Sequence, residues 1–129
     1  MARPRTGRPT DLELEILKAL WEHGPSTVRE VREALFDKRP MTYTTVLKML
    51  QIMTEKGIVV CDKRQRAHVH RPRESRKTVA GRLTGDLLNR VFDGSTPQLV
   101  LHALEHKRAK PEELAEIRRL IDEVERRGK

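Results

Sequence analysis

Three helix starts in close succession, followed by an abrupt change of period, constrain this chain more than any other feature. "TDLE" at residues 10–13 and "TVRE" at 27–30 each set a threonine three residues ahead of a glutamate, so side chain and backbone can cap one another reciprocally. The first predicts a helix with Leu12, Ile16, Leu17, Leu20 and Trp21 on one face, stopped by Gly24-Pro25. The second predicts a helix carrying Val28, Val31, Ala34 and Leu35, with Pro40 bounding the loop behind it. A third, "TYTTVLKMLQIMTEKG", runs from about 43 to 56 and stops at Gly57. Then "IVVCDKRQRAHVHRP" switches to strand chemistry: a β-rich run from Ile58 to Asp62, a basic turn from Lys63 to Arg66, and a returning strand from Ala67 to Arg71. Three short helices and then a basic-tipped hairpin is the order of a winged helix-turn-helix.

From Ser75 onward the pattern is helical without strands. One helix runs to about Phe92 and carries Val79, Leu83, Leu87 and Val91; Asp93-Gly94 breaks it. Thr96 as N-cap and Pro97 behind it start a shorter helix with Leu99, Val100, Leu101 and Leu104. Pro111 starts the last, where Leu114, Ile117, Ile121 and Val124 follow one another at three, four and three residues. Three helices with one thin apolar face each are too little for a solitary core. Pairing with a second copy about a two-fold axis would bury Leu83, Leu87, Val91, Leu101, Leu104, Leu114, Ile117, Ile121 and Val124. The competing arrangement folds these helices back onto the winged helix as one monomeric domain. The expected fold class is therefore mainly α with a small β-hairpin. It divides into a disordered basic arm at 1–9, a winged-helix domain at 10–73 and a helical dimerisation domain at 74–129.

The charge is uneven. Residues 1–73 hold 15 basic and 9 acidic side chains, net +6, whereas residues 74–129 hold 12 and 10, net +2. A basic first half points to a polyanion, and nucleic acid comes first. At 100° per residue the third helix turns Val46, Met49, Leu50 and Met53 inward. Thr44, Thr45, Lys48 and Gln51 face outward from its N-terminal half, with Thr42 as cap and Tyr43 beside the apolar stripe. Threonine hydroxyls bond phosphate or base, and glutamine pairs bidentately with adenine, so this face suits a recognition helix. Read alone, the same threonines would only cap and solvate a surface helix. Lys63, Arg64 and Arg66 at one hairpin tip, with His68 behind them, suit a wing laid along phosphates. Arg3, Arg5 and Arg8 could reach a neighbouring minor groove or act as a mobile tail adding only nonspecific attraction.

In "LELEILKALWEHGPSTVREVREAL", "MTYTTVLKMLQIMTEKGIV" and "KRQRAHVHRP" the chain resembles the penicillinase-repressor family, the BlaI/MecI type of bacterial transcriptional repressors. The resemblance covers nearly everything after the arm, and the "TYTTV" helix start is its most specific motif. It implies a winged-helix DNA-binding domain, a helical dimerisation domain, and a homodimer that blocks transcription from a palindromic operator. Two departures stand out. Family members induced by a membrane-sensor protease are cut near an Asn-Phe pair, where the matching stretch "LVLHALEH" has His102-Ala103. Copper-responsive relatives carry paired cysteines near the C-terminus, and this chain's one cysteine is Cys61. The residues name no inducing sensor or protease.

Other chemistry is weakly signalled. His68 and His70 share a strand face, but two ligands fall short of the four zinc takes, so no metal is expected. Cys61 reads as packing in a reducing compartment. No nucleophile–base pairing, phosphate loop or carboxylate cleft is visible, so neither an enzyme nor a cofactor is expected. No apolar run reaches membrane-spanning length, and a cytoplasmic location follows as the expectation. The rival function is a nonspecific architectural DNA-binding protein, in which charge supplies nearly all the affinity. It accounts for the net charge but not for short polar readers on the third helix. A pure protein–protein adaptor fits the basic first half poorly.

Overall fold

The computed structural model describes residues 8–128. Arg3 and Arg5 of the expected arm lie outside this range, and Arg8 is exposed. The elements are α1 (Asp11–His23), β1 (Ser26–Thr27), α2 (Val28–Ala34), α3 (Tyr43–Lys56), β2 (Val59–Asp62), β3 (Val69–Pro72), α4 (Arg76–Arg90), α5 (Thr96–His106) and α6 (Pro111–Arg127). The fold is mainly helical with a small antiparallel sheet. It forms two compact units, one ending at Leu83 and the other beginning at Thr84.

In the first unit the caps form as their spacing dictates. The Thr10 N–H donates to Glu13 Oε1 at 2.9 Å and the Glu13 N–H to Thr10 Oγ1 at 3.1 Å. Thr27 and Glu30 repeat the exchange at 2.8 and 3.2 Å. Gly57 closes α3 at φ +81°, a left-handed conformation that a side chain would disfavour. The apolar faces meet in one core: Ile16, Leu17 and Leu20 from α1, Val28 and Val31 from α2, Leu35 behind it, Val46, Leu50 and Met53 from α3, and Val59 from β2. Each such side chain contributes roughly 1.5–3 kcal/mol by leaving water.

The sheet has the order β1-β3-β2, with Ser26 opposite His70 and His70 opposite Cys61. The two-residue β1 has no counterpart in the sequence reading. The returning strand begins at Val69 rather than Ala67, which leaves Ala67 and His68 in the turn. Pro72 sits at the strand end opposite Val59, where a missing N–H is tolerated.

Three contacts reach beyond what local spacing shows. The Glu13 carboxylate, 2% exposed, takes a bond from Lys56 Nζ at 2.6 Å, joining the start of α1 to the end of α3. Trp21 Nε1 donates to the Glu74 carbonyl at 3.0 Å, and Arg82 Nη1 donates to both Glu74 carboxylate oxygens at 2.9 Å. With Val79 only 4% exposed, the first two turns of α4 belong to the winged-helix unit, which runs to Leu83 where the sequence suggested a boundary after residue 73.

The second unit comprises the end of α4 with α5 and α6. Asp93 at φ 49° and Gly94 at φ 82° make the turn after α4, and the Gly94 N–H closes it on the Leu88 carbonyl at 2.9 Å. The cap of α5 is Ser95, whose hydroxyl accepts from the Gln98 N–H at 3.3 Å; Thr96, expected in that role, is already helical. The Phe92 and His102 rings pack with centroids 5.2 Å apart. Not one residue from 84 to 128 is buried.

Candidate nucleic-acid interface

The start of α3 answers what its threonines are for, and the answer divides them. Thr42 Oγ1 accepts from the Thr45 N–H at 3.2 Å and donates to Thr45 Oγ1 at 2.9 Å, so these two hydroxyls serve the helix first. Among the described residues, Thr44 makes no side-chain hydrogen bond, and Lys48 and Gln51 make none either. All three are exposed. Tyr43, placed beside the apolar stripe, is 50% exposed. The rigid inner face formed by Val46, Leu50 and Met53, each 0% exposed, fixes where this outer face points.

Between α2, α3 and the hairpin lies an open groove, and Tyr43, Gln51, Lys63, Arg66 and His68 all line it. The structure thus brings together five of the ten expected contact residues around one concavity. Thr42, Thr44, Thr45, Lys48 and Arg64 are exposed outside it.

The wing is less uniformly cationic than its composition suggests. Arg64 Nε donates to both Asp62 oxygens at 3.0 and 3.1 Å, its Nη2 donates to Oδ2 at 2.7 Å, and its backbone N–H bonds Oδ1 at 3.0 Å. The guanidinium and that N–H hold the Asp62 carboxyl down at about 2, so it stays ionised at any physiological pH. Among the described residues Lys63 and Arg66 have no carboxylate partner. The tip therefore presents two unpaired cations and one that is already engaged.

Sequence reading passed over Arg29 and Arg32, which line the α2 side of the same groove. Arg32 Nε donates to the Met41 carbonyl at 3.0 Å and so ties α2 to the residue before the α3 cap. The basic last turn of a short helix was the available signal. His70, by contrast, is 4% exposed, and its Nδ1 has no partner among the described residues. Burial first, and then the neighbouring His68, hold its pKa below the usual 6.5, against a smaller upward pull from the Ser26 backbone. It works as a neutral sheet residue between Ser26 and Cys61.

The second unit carries a different surface. Leu87, Val91, Leu101, Ile121 and Val124, together with Val100 and Leu120, which were not among the expected dimer contacts, are each between 41% and 63% exposed. Leu83, Leu104, Leu114 and Ile117 are half-buried. Exposed apolar side chains scattered singly are ordinary; a helical unit with no buried residue at all lacks a core of its own.

Residues 9–123 match the family model described as penicillinase repressor. The chain is 35% identical over 117 residues to the transcriptional regulator BlaI of Mycobacterium tuberculosis, across 89% of this chain and 83% of that protein. It is 28% identical over 120 residues to the penicillinase repressor of Bacillus licheniformis, across 93% and 94%. Among solved structures it is similar to the monomeric form of Bacillus licheniformis BlaI in complex with the blaP half-operator. That match has a TM-score of 0.48 at 26% identity and covers 60% of this chain and 92% of that one.

Proposed function

Since the chain belongs to the penicillinase-repressor family, we propose that it is a sequence-specific DNA-binding transcriptional repressor that acts as a homodimer on a palindromic operator. Thr44, Lys48 and Gln51 read bases or adjacent phosphates, Thr42, Tyr43 and Thr45 shape the helix start against the backbone, and Lys63, Arg66 and His68 anchor the wing. Arg64 joins them when it exchanges its internal carboxylate for phosphate. The observation that carries the reading is the outer face of α3, where Thr44, Lys48 and Gln51 have no side-chain partner among the described residues and stand beside a groove edged by wing cations. Repression then follows from occupying promoter DNA in the cytoplasm, and the reading requires no reaction.

Dimerisation is assigned to α5, α6 and the end of α4. The coreless second unit supports it: two copies related by a two-fold axis cover apolar side chains that one copy leaves in water. Such a dimer sets two recognition helices about one DNA turn apart, roughly 34 Å.

Selection of bound fragments from a random duplex pool near physiological salt tests this directly. A palindrome with half-sites about one turn apart is the expected outcome. Binding without enrichment, falling steeply with salt, would overturn sequence reading in favour of an architectural protein. Two substitutions then separate the contact classes. Gln51→Ala is expected to relax discrimination at one position of each half-site, by about 1–3 kcal/mol. Arg66→Ala is expected to weaken all sequences alike and to lower the salt slope by about one per protomer.

A further inference from the structure

We infer that Asp62 is a specificity-determining residue: it occupies Arg64 as an internal substitute for phosphate and so holds down the affinity of the wing for DNA in general. The inference rests on the DNA-binding reading and adds to it a carboxylate on the binding surface itself. The geometry is that of a built clamp. One carboxylate takes three side-chain contacts from the Arg64 guanidinium at 2.7–3.1 Å and a fourth bond from the Arg64 backbone N–H. Asp62 lies at the end of β2, its side chain 32% exposed, while the guanidinium it holds is 89% exposed at the surface of the tip. The competitor for the guanidinium is thus anchored in the sheet.

The consequence follows from how the two kinds of complex are made. Binding to arbitrary DNA is driven by release of counterions as free cations replace them. Arg64 arrives with its charge already compensated, by a partner two residues away whose effective concentration is on the order of millimolar or more. Phosphates met in a loose, mobile complex do not compete well against such a partner. On the operator, α3 fixes the wing at one position. A single phosphate can then be held in the planar, two-pronged geometry the guanidinium offers and can take Asp62's place. Asp62 therefore penalises the arbitrary complex more than the operator complex, and the discrimination widens without any base contact by the wing.

Asp62→Asn in the full chain tests this. Asparagine keeps an oxygen for the Arg64 N–H, so the turn survives, while the charge that holds the guanidinium is lost. Affinities for the selected operator and for a random-sequence duplex are measured over a salt series, with the same pair compared in an Arg64→Gln background. Random-duplex affinity is expected to rise about threefold near 50 mM salt, with the salt slope steeper by about one per protomer. Operator affinity should rise less, so the ratio between the two narrows. In the Arg64→Gln background the Asp62→Asn change should keep only the small, duplex-independent gain that comes from removing one carboxylate beside phosphates. An equal rise on both duplexes, a rise undiminished without Arg64, or no rise in a variant that melts like the parent would each overturn the inference. A parent protein that binds neither duplex would instead remove the DNA-binding reading on which it stands.

Discussion

Glu13→Ala is expected to destabilise the winged-helix unit by about 3 kcal/mol. The carboxylate is almost wholly out of water and has two employments there. It accepts from the Thr10 N–H as half of the α1 capping box, and it pairs with Lys56 across the unit. Losing a cap costs about 1 kcal/mol. Breaking a buried pair from one side costs about 3–5 kcal/mol, and Lys56, 22% exposed, recovers part of that by turning to water. For a unit of this size the sum lowers the melting temperature by on the order of 15 °C. Glu13→Gln, which keeps the cap acceptor and loses only the charge, should fall roughly midway.

The acid side of the stability curve reports the same pair. Burial pushes the Glu13 carboxyl up, but the Lys56 hydrogen bond, the Thr10 N–H and the Lys56 charge together hold it below its usual 4.5. The unfolded chain therefore takes up this proton at a higher pH than the folded one. The stabilisation is complete above about pH 4.5 and is lost as pH falls through the lower folded value. Urea titrations between pH 6 and pH 3 should show this slope in the parent and not in Glu13→Gln; equal slopes would mean that Lys56 does not hold the carboxylate.

What was legible in the sequence and what was not separates along one physical line. The capping boxes of Thr10 and Thr27 and the left-handed stop at Gly57 rest on interactions three or four residues long, and the chain states them locally. The outward set on α3 follows from helical period alone. The two-residue β1 was missed because no periodicity fits in Ser26–Thr27 and its partner is His70, far along the chain. The unit boundary moved to Leu83 because Val79, which packs with the wing unit, continues the same helical stripe as Leu83 and Leu87. The cap of α5 slid from Thr96 to Ser95 because adjacent hydroxyls are equally competent on paper. Asp62 and Arg64 show the limit most clearly. Counting charges at the tip gives three cations, whereas among the described residues two of them have no carboxylate partner and the third is held in a pair.

The remaining large effect concerns the second unit. Ile121→Glu is expected to convert the dimer to a monomer and to lower affinity for the full operator by at least 100-fold, while leaving affinity for a single half-site unchanged. Ile121 is 53% exposed on α6, in line with Ile117 and Val124, and glutamate is a good helix former, so the protomer keeps its fold. Two-fold symmetry counts the substitution twice. Each copy loses an isoleucine's burial, roughly 1.5–3 kcal/mol, and would have to place a carboxylate in an apolar interface. The DNA consequence is one of linkage. A second recognition helix tethered to the first meets its half-site at millimolar effective concentration, which raises avidity 10²–10⁴-fold, and a monomer forfeits all of it. Light scattering at micromolar concentration and titration of full and half operators read the two effects separately. A dimer that survives Ile121→Glu would move the interface off this stripe of α6. A parent chain already monomeric in solution would leave palindromic binding to be assembled on the DNA itself, with the exposed faces of Leu101, Ile121 and Val124 joined only there.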